Sequence, residues 1–97
     1  MSGANETIHQ PIRLRIMAAL TALPARDEGL DFSRLKVLTG ATDGNLGAHI
    51  ETLERAGYVE VEKRFADRRP KTIVKATSTG RKEFAAHVAF LRSVIGD

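Results

Sequence analysis

Apolar residues recur along the chain in four stretches with helical spacing and in three stretches suited to strands, the first of them very short. Ile12, Ile16, Ala19, Leu20 and Leu23 fall on one helical stripe. Pro11 stands where a first turn tolerates proline and Pro24 supplies a stop, so a helix is expected over about 10–23. Leu14 and Met17 lie off that stripe. Residues 1–8 lack helical periodicity, which reads as a tail over 1–9 ahead of one domain over 10–97. Leu30-Asp31-Phe32 alternates as a very short strand would. Ser33 is placed to cap a short helix over 34–39, with Leu35 and Leu38 inward and Gly40 as a left-handed stop. Thr42 then caps a helix over 43–56. Asp43 favours its positive end, Leu46, Ile50 and Leu53 recur at i, i+4 and i+7, and Gly57 ends it.

From Tyr58 to Phe65 the period changes to two. Val59, Val61, Lys63 and Phe65 occupy one strand face, and Tyr58, Glu60, Glu62 and Arg64 the other. Ala66 to Pro70 is turn chemistry, and Lys71 to Thr77 is a second strand. A last helix starts at Thr77 or Ser78 and runs to about Ile95. The predicted order is α-β-α-α-β-β-α, mainly α with a small β-hairpin (α+β). The two helices flanking Gly40 have helix-turn-helix spacing.

Charge sharpens this picture. The chain of 97 residues carries a net +3, and residues 61–75 hold six basic against two acidic groups. A local basic segment suits a polyanionic partner. The hairpin tip carries Arg64, Arg68, Arg69 and Lys71, with Pro70 stiffening the loop. On the 43–56 helix, Gly44, Ala48, Glu51, Thr52 and Arg55 lie opposite the apolar stripe, with Asn45 and His49 on one flank. Small residues let a helix backbone approach base edges, and Asn, Thr and Arg can hydrogen-bond to them. Gly44 and Gly47 each cost the helix about 1 kcal/mol relative to alanine. Close packing against a neighbour or a close approach of DNA would account for them.

Other chemistry finds little support. The three histidines are far apart and lack metal-ligand spacing, and there is no cysteine. No phosphate loop or nucleophile motif is present, so neither an enzyme nor a metal or cofactor is expected. No stretch is apolar enough to span a bilayer and no export signal is evident, which points to a cytoplasmic protein. In the last helix Phe84, Val88, Leu91 and Ile95 make one stripe and Phe90 and Val94 a second. With His87, and with Leu14 and Met17 of the first helix, they are expected to form a homodimer interface.

Several segments resemble winged-helix transcriptional regulators. PIRLRIMAAL, Pro11 to Leu20, resembles their first helix, and Leu30 to Lys36 their short strand and second helix. TDGNLGAHIETLERAGYVEVEK, Thr42 to Lys63, resembles the recognition helix and first wing strand. DRRPKTIVKATSTGRKEF, Asp67 to Phe84, resembles the wing tip, second wing strand and start of the last helix. The likeness is to small single-domain archaeal and bacterial proteins related to the MarR and ArsR families. It implies a homodimer that binds double-stranded DNA in a sequence-specific way, usually to repress. By position, Thr42, Asn45, Ala48, His49 and Thr52 match groove or phosphate contacts, and Arg68 and Arg69 match wing-tip contacts. A serine is common where this chain has Gly47. The metal-binding cysteines of ArsR proteins are absent, as are the long helices that help enclose an effector pocket in full MarR proteins, so the resemblance leaves a small-molecule effector open. A winged helix used for protein–protein contact, its arginines meeting an acidic surface, is the alternative function.

Overall fold

The computed structural model describes residues 4–96, which form five helices and three strands. In chain order these are α1 (Glu6–His9), α2 (Pro11–Thr21), β1 (Leu30–Asp31), α3 (Phe32–Thr39), α4 (Asp43–Arg55), β2 (Val59–Ala66), β3 (Arg69–Ala76) and α5 (Ser78–Ile95). The strands make one antiparallel sheet in the order β1-β3-β2. Sequence periodicity therefore predicts every element except α1.

That exception corrects the expected tail, of which residues 1–3 lie outside the described residues. The Asn5 side chain caps α1 by accepting from the Ile8 amide at 3.0 Å, and its Nδ2 donates to Tyr58 Oη and Glu83 Oε1. Ile8 is completely buried. One turn is too short to show periodicity, so the signal was a lone apolar residue.

Helix α2 is the central helix, touching the other four helices and β3. A helix covered on several sides is apolar over a wide arc rather than a stripe. Met17 is accordingly fully buried inside its own chain, and Leu14 packs half-buried against the same core. Met17 is thus not available to a dimer interface. The core also takes Ile16, Leu20, Leu35, Leu46, Ile50, Leu53, Val59 and Val74. Leu38, expected inward, is exposed. Helix α3 starts two residues earlier than expected, because Asp31 rather than Ser33 caps it, accepting from the Arg34 amide at 2.7 Å. Gly40 closes it at φ +71, as predicted.

His87 is the second correction to the expected interface. It is 1% exposed, facing α1 rather than solvent. The Asn5 amide donates to its Nδ1 at 3.1 Å, so Nε2 carries the ring proton, 3.3 Å from His9 Nδ1. Burial first, and then the positive charge of His9, hold its pKa below the ordinary 6.5, with Glu6 opposing. The unfolded chain therefore binds a proton that the folded chain resists. Stability from this residue is full above about pH 6.5 and is lost as the pH falls through the lowered folded value. Urea melts at pH 7.5 and 5.5 should show a loss at the lower pH that His87→Gln largely removes; an equal loss in that variant would assign it elsewhere.

The β2–β3 connection is tighter than the five-residue turn read from sequence. Ala66 pairs with Arg69, leaving only Asp67 and Arg68 in the loop, both with positive φ (51 and 63). Two positive φ values in a two-residue loop match the strand twist, but they favour Asn-Gly. An arginine there is conformationally costly. Arg68→Gly should therefore stabilise the fold by about 0.5–1 kcal/mol, read as a higher urea midpoint, while removing a wing charge. A lower midpoint would contradict this turn geometry.

Candidate nucleic-acid interface

The interface is built from the α3-turn-α4 unit and the β2–β3 ribbon. Leu46, Ile50 and Leu53 seat α4 on the core, which leaves Asn45, Ala48, Glu51 and Arg55 exposed. The Thr42 hydroxyl caps the helix, accepting from the Asn45 amide at 3.2 Å. Across the turn, Lys36 Nζ lies 2.7 Å from Asp43 Oδ1 and offsets the carboxylate at the helix start. Thr52 is half-buried and its Oγ1 donates to the Ala48 carbonyl at 3.1 Å. Arg55 pairs with Glu51 on the same face at 3.0 Å, an exposed i, i+4 pair that exchanges readily.

Apart from the adjacent residues and the helix's own backbone, no heavy atom of the described residues lies within 4 Å of where a Cβ would stand at Gly44 or Gly47. Close packing inside the chain therefore does not explain either glycine. Gly47 instead borders a shallow groove between α4 and the ribbon, shared with Ala48, Glu51, Lys63 and Thr72. Gly47→Ala is expected to stabilise the protein by about 0.5–1 kcal/mol in urea melts. Its duplex affinity should fall several-fold if DNA approaches here. Unchanged or improved affinity would remove Gly47 from the contact.

His49 sits on the flank nearest α2 and is half-buried. Arg13 of α2 donates through Nη1 to His49 Nδ1 at 2.9 Å, and through Nε to the Thr7 carbonyl. A guanidinium only donates, so the His49 proton is on Nε2. Burial, then the Arg13 charge, lowers the His49 pKa and keeps the ring neutral. Sequence reasoning missed Arg13. It is 36 positions from His49, and only the packing of α2 against α4 brings them together.

The ribbon divides its basic residues into two groups. Arg68, Arg69 and Lys71 are exposed at the tip, and no ion pair involves them among the described residues. Arg64 differs. Its guanidinium pairs with Glu28 and, at 2.9 Å, with Glu62, and hydrogen bonds to both carboxylates raise its pKa further above its ordinary value. Both pairs are exposed, so Arg64 starts from a partly offset charge, whereas the tip cations do not. Glu28 lies in the loop before β1, too far along the chain for strand alternation to reveal the pairing.

The expected dimer residues separate in a similar way. Met17 and His87 are core. Val88, Phe90 and Leu91 are half-buried, Phe84 packs on the core, and Val94 and Ile95 are 64% and 74% exposed. Among the described residues no group of three or more His, Asp or Glu could hold a metal ion, and no helix is long and apolar enough to cross a membrane.

This geometry agrees with comparison to known proteins. The sequence model of a family described as the winged helix DNA-binding domain matches residues 12–95. An uncharacterized protein of Methanocaldococcus jannaschii is 39% identical over 77 residues, 79% of each chain. A transcriptional regulator homologue from Pyrococcus horikoshii superposes with a TM-score of 0.83 at 35% identity, covering 95% of this chain and 87% of that one. FabT of Streptococcus pneumoniae, solved in complex with DNA, shares the fold at a TM-score of 0.58 and 20% identity, covering 95% and 70%. MarR-family regulators are among the other chains with this fold. The family and fold are those of transcription regulators and not of enzymes, and this chain belongs to the winged helix DNA-binding domain family.

Proposed function

We propose that the protein is a homodimeric transcriptional regulator, acting as a repressor in the cytoplasm, that binds double-stranded DNA at specific sequences. Helix α4 enters a major groove, where Asn45, Ala48, His49 and Thr52 meet base edges and Thr42 and Arg55 the backbone. Arg68, Arg69 and Lys71 hold phosphates beside the adjacent minor groove. One observation carries this reading. A helix whose outer face is small, with glycines that the described residues leave uncovered, stands beside a tip of cations outside every ion pair among those residues. The FabT–DNA complex, with the same fold, supports it.

Dimerisation rests on α5. This helix of 18 residues is about 27 Å long, and its last two turns present half-buried Leu91 and exposed Val94 and Ile95. A twofold pairing there would present two copies of α4 to successive major grooves.

The test is duplex binding by fluorescence anisotropy at a series of salt concentrations. Arg69→Ala should weaken binding to all sequences alike and reduce the salt slope by about 1. An unchanged slope would take the wing off the DNA. In parallel, sedimentation should show Ile95→Glu shifting a dimer to monomer; a wild-type monomer at micromolar concentration would refute the α5 interface.

A further inference from the structure

The ribbon face that packs on the core is built from the cross-strand pairs Val59–Ala76, Val61–Val74, Lys63–Thr72 and Phe65–Pro70. Residues directly opposite one another, and alternate residues along each strand, share a face. The first two pairs belong to or pack on the core, and Lys63–Thr72 borders the groove beside α4. A ribbon leaving its core should turn polar from there outward. Here an aromatic ring and a proline stand opposite each other at the end, with Phe65 75% exposed and Pro70 exposed. Strand β3 has no second neighbour at Pro70, since β1 reaches only Ile73 and Val74, so proline interrupts no further pairing.

The surroundings say what covers this pair. Arg68, Arg69 and Lys71 lie within two to three residues of Phe65 or Pro70, exposed and outside every ion pair among the described residues. Lys63 precedes Phe65 on the same face. The opposite face carries Arg69 and Lys71, paired with Ala66 and Arg64, and there Glu28 and Glu62 already engage Arg64. The apolar pair therefore occupies one face of the tip with Lys63 beside it, and exposed cations stand at the turn and on the other face. That combination fits a polyanion with apolar walls, which is what phosphates and deoxyriboses present along a minor groove. The two-residue turn makes the tip as narrow as a ribbon can be, and it fixes the backbone that carries the ring.

We infer that Phe65 and Pro70 form an apolar wedge that packs against the deoxyribose walls of the minor groove while Arg68 and Arg69 hold the flanking phosphates. This rests on the DNA-binding reading and adds to it. The wing contributes a contact that does not depend on salt, and it favours sites whose minor groove opens easily at the wing.

Three variants at one exposed position test the wedge, with folding checked by circular dichroism. Phe65→Ala should weaken binding to a fixed duplex about tenfold with the salt slope unchanged, because apolar area and no phosphate contact is lost. Phe65→Lys should also bind more weakly than wild type, although it adds a charge. Phe65→Trp should bind like wild type, and its emission, from the only tryptophan in the chain, should change on adding duplex. Wild-type affinity in Phe65→Ala, tighter binding by Phe65→Lys or an unresponsive tryptophan would each overturn the wedge while leaving DNA binding intact. A loss in Phe65→Ala accompanied by a lower slope would show a displaced wing and overturn it equally. Failure of wild type to bind any duplex at low salt would remove the DNA reading itself, and the wedge with it.

Discussion

Gly80→Ala is expected to destabilise the protein by about 3 kcal/mol, lowering its melting temperature by roughly 10–20 °C. A Cβ at residue 80 would stand 2.1 Å from the Tyr58 carbonyl oxygen, 2.9 Å from its carbon and 3.0 Å from its Cα. All three atoms are backbone, so no rotamer change relieves the clash. The first turn of α5 would have to lift away from the start of β2. That junction is held by Thr77, whose amide donates to the Tyr58 carbonyl at 3.0 Å and whose hydroxyl donates to the Gly57 carbonyl at 2.6 Å. The same hydroxyl caps α5 by accepting from the Gly80 amide at 2.9 Å. A shift large enough to admit a methyl group therefore strains the cap and the join between helix and sheet together. Thermal melts by circular dichroism decide the matter. A change of less than about 3 °C would mean that the helix and strand separate more easily than this packing allows.

The largest expected effect on binding comes from Ala48→Glu. Ala48 is exposed at the centre of the outer face of α4, and its replacement should alter stability by no more than about 0.5 kcal/mol. Against DNA the same change places a carboxylate where the account puts base edges and phosphates. Like charges brought together in an interface cost several kcal/mol, so affinity should fall about a hundredfold or more for every duplex. The helix already carries Glu51 on this face, but Arg55 lies 3.0 Å from it and offsets its charge. A new glutamate at 48 has Arg55 seven positions along, two turns away and already engaged. An Ala48→Glu variant that melts normally and binds like wild type would take α4 out of the groove.

The architecture was legible in the sequence wherever a periodic signal had room to repeat. Helix α4 shows this best. Its cap at Thr42, its apolar stripe and its end are all found within one or two residues of where spacing and capping chemistry put them. The ribbon was legible through its change of period. What could not be read is what long-range packing decides. Arg64 and Lys71 oppose each other as a cross-strand pair, but one is paired with Glu28 from a distant loop and the other faces solvent. Met17 and His87 looked surplus to a small core because nothing local announces that α2 is central or that α1 folds over α5. The glycines divide in the same way. Gly80 is required by backbone contact, whereas Gly47 has open space, and the sequence shows two similar residues in helical surroundings.

On the proposed function, α4 reads base sequence while the wing supplies general affinity, in a twofold assembly. Selection of bound duplexes from a random library, followed by sequencing, tests it most directly. The expected result is an enriched pseudo-palindrome with half-sites about one helical turn apart, and an Asn45→Ala or Thr52→Ala protein should select altered half-sites. Binding that enriches no sequence, or the same sequence enriched by all three proteins, would contradict it.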